Sequence, residues 1–209
     1  YENLEIIVID DGSSVSPWEY IDKVDTNGRK VTRVTNDTNK GKWHCLNKAI
    51  ASTNAEWFMI QDADDFAFPW KTRVQKEALK QTKTLLNLAG YVPITKDEEH
   101  IQILSPSFDN IPTIVGEEIM NSAVTSLQNP LIHHNYTGQH DIHNGASMFH
   151  RSLHDIGFRF QPPGLGLRIA RSEDSDYNLR ATLIFGRTSW TPMPCYSYRL
   201  GSGHPEGTF

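Results

Sequence analysis

The chain has 209 residues, 38% of them hydrophobic and 22% charged, and a formal net charge of -5. That length and composition suit one soluble α/β domain with a substantial core better than two very small ones. No stretch reaches the roughly 20 apolar residues of a membrane span. The acidic balance argues against a general nucleic-acid binder, and two cysteines, Cys45 and Cys195, make neither a disulfide framework nor a zinc cluster.

The chain opens on Tyr1-Glu2-Asn3 without an initiator Met, signal peptide or transit segment, and so reads as a piece of a longer protein from a reducing, cytoplasmic setting; any membrane association belongs to parts outside it. Leu4 to Ile9 is a nearly continuous apolar run, the pattern of a strand buried on both faces of a parallel sheet, and it ends in the turn Asp10-Asp11-Gly12-Ser13-Ser14. A second β-rich stretch, Lys30 to Val34, leads through a polar loop into a predicted helix from Lys42 to Ser52. The next strand, Trp57 to Ile60, delivers Asp62, Asp64 and Asp65 to its C-terminal end. Three carboxylates within four residues repel one another unless solvated, protonated or coordinated. They read either as hard oxygen ligands for Mg²⁺ or Mn²⁺ beside a phosphate-bearing substrate, or as a solvated acidic loop.

Pro69 suits the first turn of a helix running to Thr82, with Arg73, Lys76 and Lys80 on its solvated side. Strands follow at Leu86 to Val92 and Ile101 to Leu104, and a helix at Gly116 to Leu127. His133, His134, His140, His143 and His150 fall in or just beyond a polar segment without ligand spacing, which reads as an exposed loop rather than a metal site. Gly145 to Phe149 reads as a strand, Ser152 to Ile156 as a helical turn, and Gln161 to Gly166 as a Pro/Gly loop loose enough for a lid. Glu173 to Phe185 is a helix with Glu173, Asp174 and Asp176 in its first turn, where acids complement the helix dipole. Trp43, Trp57, Trp70 and Trp190 read as core aromatics. Strand and helix alternation through the first third favours a doubly wound α/β layer, in which ligands bind beyond the C-terminal strand ends.

The ordered set Leu4 to Ser14, Asn39-Lys40-Gly41-Lys42 with Leu46 to Ile50, Asp62-Ala63-Asp64-Asp65, Asn144 to Arg151, and Ser172 to Asp176 with Leu179-Arg180 resembles the family 2 glycosyltransferases of the GT-A fold. The resemblance reaches across most of the chain. It implies a mostly parallel, Rossmann-like central sheet flanked by helices in a single domain, with a nucleotide-binding part over about residues 1–100 and an acceptor-binding part over about 101–209. It also implies a strand and helix preceding Tyr1 that this chain lacks. The activity implied is inverting transfer of a sugar from a nucleotide diphosphate donor, most often a UDP-sugar, to a hydroxyl of a glycan or glycoconjugate, with Mn²⁺ or Mg²⁺ as cofactor.

Residue by residue, Asp11 resembles the carboxylate that accepts a hydrogen bond from the nucleotide base, with Asp10 beside it. Lys42 matches a position near the base or diphosphate, or else a solvated helix-start lysine, and Asn47 reads as a packing residue. Asp62 and Asp64 match the ribose and metal motif, which Asp65 extends. Asp174 looks like the catalytic base, with Glu173 as its neighbour, and His204 in the closing segment Tyr196 to His204 is a candidate metal ligand or part of a mobile tail. Two alternatives stay beside this reading: a non-catalytic nucleotide-sugar or glycan-binding domain, and a haloacid-dehalogenase-like phosphatase that would use Asp62-Ala63-Asp64.

Overall fold

A computed structural model of the chain describes residues 3–94, 114–115, 145, 147–163, 165, 173–186 and 188–199. In chain order the elements are β1 (Ile6–Asp10), α1 (Trp18–Ile21), β2 (Val31–Thr35), α2 (Lys42–Ala51), β3 (Trp57–Met59), β4 (Phe66–Ala67), α3 (Lys71–Thr82), β5 (Leu86–Ile94), β6 (Ile114–Val115), β7 (Ser147–His150), α4 (Ser152–Asp155), α5 (Glu173–Phe185) and β8 (Thr188–Arg199). The expected strand at Ile101 to Leu104, the helix at Gly116 to Leu127, the residues His133, His134, His140 and His143, and His204 all lie outside the described residues.

β1 and β2 pair in parallel as a two-stranded unit, and the other strands form a sheet of order β3-β7-β5-β8-β4 with β6 also on β8. The architecture is the expected α/β type, but the sheet is mixed. Among the described residues parallel pairing belongs to β1/β2 and to the long β5/β8 ladder, whereas β7 runs antiparallel to both β3 and β5. Ile6 to Ile9 are half-buried rather than fully enclosed, because β2 is the one ladder partner of β1 among the described residues.

Helices cover both faces of the larger sheet. On one side Ile50 of α2 and Tyr177 and Ala181 of α5 join Leu86, Leu88, Phe149 and Phe160 in the main core. On the other, Val74 and Ala78 of α3 pack with Phe68, Trp70, Ala89 and Tyr196. Helical spacing explains the second contact: Lys71, Val74, Gln75, Ala78 and Leu79 form one buried stripe, while Arg73, Lys76 and Lys80 face solvent as expected. Trp70 and Trp190 are buried and Trp43 packs on the main core, in line with the scaffold reading.

β5 and β8 also share a buried polar seam. Asn87 donates to Ser189 Oγ (3.0 Å) and Thr191 Oγ1 (3.1 Å), and Ser189 Oγ meets Thr84 Oγ1 at 2.9 Å. Farther along this ladder the register shifts around Gly90, opposite the Pro192 to Pro194 segment of β8.

Candidate active site

At the C-terminal end of β1 the two aspartates tie down the following loops. Asp10 Oδ1 accepts the Ser13 N–H at 2.9 Å. Asp11 accepts from Asn36 Nδ2 (2.8 Å) and the Lys40 N–H (2.9 Å) on one oxygen, and from the Gly41 N–H (2.8 Å) on the other. Burial raises the Asp11 pKa, but the donors from Asn36, Lys40 and Gly41 outweigh it and hold the carboxyl down at about 2. The Cys45 thiol adds a fourth donor to the same carboxyl. Gly12 has to be glycine here: its φ is +77°, and a Cβ would stand 2.6 Å from the Thr38 carbonyl carbon.

Gly41 and Lys42 join this knot to the acidic turn. The Gly41 amide points to Asp11, and one residue later Lys42 Nζ reaches Asp62 Oδ1 at 2.6 Å. Burial lowers the Lys42 pKa, but Asp62, then Asp174 and Glu173, raise it further, so the ammonium stays charged among three carboxylates. Lys42, read in the sequence as either a site residue or a solvated lysine, is a hub between them.

The turn after β3 closes with the Asp65 N–H on the Asp62 carbonyl (3.3 Å). Asp65 is buried; its Oδ1 accepts the Arg199 N–H at 2.8 Å, and Arg199 Nε bonds the Asp64 carbonyl at 3.1 Å. Burial first, then the Asp64 and Asp62 charges, push the Asp65 pKa up to about 6, against the opposing pull of the Arg199 amide. Asp174 is buried in the first turn of α5, one helical turn from Tyr177 and Asn178. Tyr177 stacks on Phe160 with ring centroids 3.9 Å apart, and Asn178 bonds Ser147, so the helix is anchored where it presents Asp174. Half-buried Tyr198 completes the surroundings: burial raises its pKa, and Asp65, Asp64, Asp174 and Asp62 all raise it further.

The geometry therefore gathers Lys42, Asp62, Asp64, Asp65, Asp174 and Glu173 into one electrostatically coupled group, with Asp11 attached through Gly41 and Asp10 through the Asn36 N–H on its carbonyl. Asn47 packs, as expected, exchanging hydrogen bonds with the Phe160 backbone (2.9 and 3.1 Å). Among the described residues no three His, Cys, Asp or Glu side chains converge as an all-protein metal cage. Asp65 Oδ2 is nonetheless buried without a hydrogen-bond partner among them, on a carboxyl whose ionisation is costly. Such an oxygen fits a hard cation held by one or two carboxylates together with phosphate oxygens.

Three supporting residues escaped the sequence reading. Asn36 is buried and, besides Asp11, contacts Cys45 Sγ (3.4 Å) and accepts from Lys48 Nζ (2.7 Å). Lys71 and Gln61 bond to each other at 3.0 Å beneath the acidic turn. Lys71 had a readable signal, since it falls on the same helical face as Val74 and Ala78; Asn36 and Gln61 carry none in a polar context.

Residues 1–157 match the Glycosyl transferase family 2. Two proteins of Haemophilus influenzae, each described as an uncharacterized glycosyltransferase, are similar: one is 29% identical over 100 residues, covering 47% of this chain and 31% of that protein, and the other 24% identical over 107 residues, covering 51% and 43%. The chain thus spans less than half the length of these relatives. The structure of S. aureus TarS 1-349 superposes with a TM-score of 0.64 at 17% identity, covering 93% of this chain and 51% of that one. The same TarS fragment in complex with UDP-GlcNAc gives 0.63 at 16% identity, covering 98% and 50%. The match of three quarters of the chain to one family, together with a shared fold, gives the assignment: the chain belongs to glycosyl transferase family 2.

Proposed function

We propose that this chain carries the donor-binding and catalytic part of an inverting, metal-dependent glycosyltransferase that moves a sugar from a nucleotide diphosphate sugar, most simply a UDP-sugar, to a hydroxyl of a glycan or glycoconjugate. The observation that carries the reading is Lys42, whose ammonium stands 2.6 Å from Asp62 and in the field of Asp174 and Glu173, so that residues far apart in sequence meet in one charged cluster. The TarS complexes with UDP and UDP-GlcNAc support the choice of donor through the shared fold.

In this reading Asp11 accepts the N–H of the base, Asp62 and Asp64 address the ribose and diphosphate, and Asp64 and Asp65, with His204, supply ligands for Mn²⁺ or Mg²⁺. The bound cation would act as a Lewis acid that stabilises charge on the departing diphosphate. Lys42, paired with Asp62, would add positive charge beside those phosphates. Asp174 takes the proton of the acceptor hydroxyl as that oxygen bonds to the anomeric carbon and the bond from that carbon to the phosphate oxygen breaks; Glu173 holds the acceptor. Residues up to about 100 handle the nucleotide and later ones the acceptor.

Family membership weighs against the phosphatase alternative, and Asp62, its required nucleophile, is engaged by Lys42. The non-catalytic alternative is separated by Asp174→Asn. We expect UDP binding with Mn²⁺ to stay within about twofold by calorimetry while sugar transfer, or donor hydrolysis, falls by about 10²–10⁴. Unchanged turnover would remove Asp174 as base, and a wild-type protein that binds UDP-sugars without turning any over would favour the binding domain.

A further inference from the structure

Lys71 opens the buried stripe of α3 with a charge and is 1% exposed. Burying an ammonium is costly unless its donors are satisfied, and burial does lower its pKa to about 8, with Cys195, Asp62 and Asp65 opposing. The surroundings are rich in carboxylates, yet among the described residues none pairs with Lys71 directly. Instead Nζ donates to the Ile60 carbonyl at 2.8 Å and to Gln61 Oε1 at 3.0 Å, and lies 5.5 Å from the centroid of the Tyr196 ring.

Gln61 passes that restraint on. With its carbonyl end held by Lys71, its Nε2 donates to the Asp62 carbonyl (3.1 Å) and the Asp65 carbonyl (3.0 Å), the two ends of the acidic turn. Arg199 occupies the Asp64 carbonyl from β8. All three aspartate carbonyls are therefore engaged by the scaffold. An ammonium that paired with a carboxylate would have neutralised the turn; one that spends its donors on a carbonyl and an amide shapes the turn and leaves its negative charge available.

We propose that Lys71, acting through Gln61, is a positioning residue that sets the shape in which the acidic turn receives a nucleotide diphosphate and its divalent cation. This rests on the functional reading given above. The test is calorimetric titration of UDP with Mn²⁺ present into the wild type, Gln61→Leu, Lys71→Met and the double variant, with the melting temperature of each. Gln61→Leu takes one of two acceptors from the buried Lys71 ammonium, so it should melt a few degrees below wild type yet stay folded at the titration temperature, and bind UDP about tenfold more weakly, the scale of a lost hydrogen bond to a charged group. Lys71→Met should bind at least as weakly, and the double variant no worse than Lys71→Met alone, because both act on one link. Wild-type affinity in Gln61→Leu, or losses that simply add in the double variant, would overturn the relay. If the wild type takes up no UDP with Mn²⁺, the functional reading itself falls and the relay's purpose falls with it.

Discussion

Asp11 shows how one side chain can hold a loop. Its donors from Asn36, Lys40 and Gly41 fix the approach of the Asn36 to Gly41 segment, and together with the Cys45 thiol they give a carboxyl that stays ionised far into acid. Because the folded pKa, about 2, lies below the ordinary value of 3.8, the native state binds fewer protons than the unfolded chain. The contribution of Asp11 to stability is complete above about pH 4 and is lost as pH falls toward 2. Asp11→Asn should accordingly lower the melting temperature at neutral pH and flatten its decline between pH 4 and 2, as read from thermal unfolding across that range. Glu5 titrates in the same window, held down by Lys30, Thr32 and Thr53, so part of the decline should persist in the variant. An unaltered acid limb would mean that these hydrogen bonds do not favour the charged form.

At the scale of elements, α5 is where aromatic packing holds the helix that carries Asp174. Tyr177 is wedged among Phe149, Phe158 and Phe160, and its hydroxyl has no hydrogen-bond partner among the described residues. Removing a buried, unsatisfied hydroxyl costs little or stabilises, whereas removing the ring opens a cavity. Tyr177→Phe should therefore unfold in urea at or above the wild-type midpoint, and Tyr177→Ala should lose about 3–5 kcal/mol. The helices around the candidate site were legible from different signals, α3 from a buried stripe at helical spacing and α5 from the acids of its first turn, while Leu183 and Ile184, expected on the apolar face of α5, are exposed; α2 and α5 begin at the expected residues and α3 within two of them. β8 was not legible, because Pro192 and Pro194 argue against a strand, having no N–H for a ladder. The structure accommodates them at the register shift opposite Gly90, and Pro194 uses its carbonyl to bind Trp70 Nε1 at 2.8 Å. The carboxylates were found from their clustering at strand and helix ends. Their supports, Asn36, Gln61 and Lys71, were not, since polar residues turned inward look in composition like polar residues turned outward.

Across the whole molecule, the acidic turn joins β3 and β4, which stand at opposite ends of the ladder order β3-β7-β5-β8-β4. A ligand held by that turn, by Lys42 and by α5 would tie segments from both halves of the sequence, and should stabilise them as a unit. UDP at about a hundred times its dissociation constant, with Mn²⁺, should raise the melting temperature by about 5–10 °C, and a chelator should abolish the gain. A shift with UDP that survives chelation would leave the nucleotide site and remove the metal from it.

The polar seam beneath this site acts as a vernier for it. Asn87, opposite Ser189, meets hydroxyls at Ser189 and Thr191, and ten residues past Ser189 the same strand delivers the Arg199 amide to Asp65. A slip of one residue between β5 and β8 would displace Arg199 by about 3.3 Å and reverse the faces of every side chain on the strand. It would also strand the Asn87 amide in the interior without acceptors. The seam thus penalises misalignment at a distance, and a cluster with no part in the chemistry sets the tolerance to which the acidic turn is built.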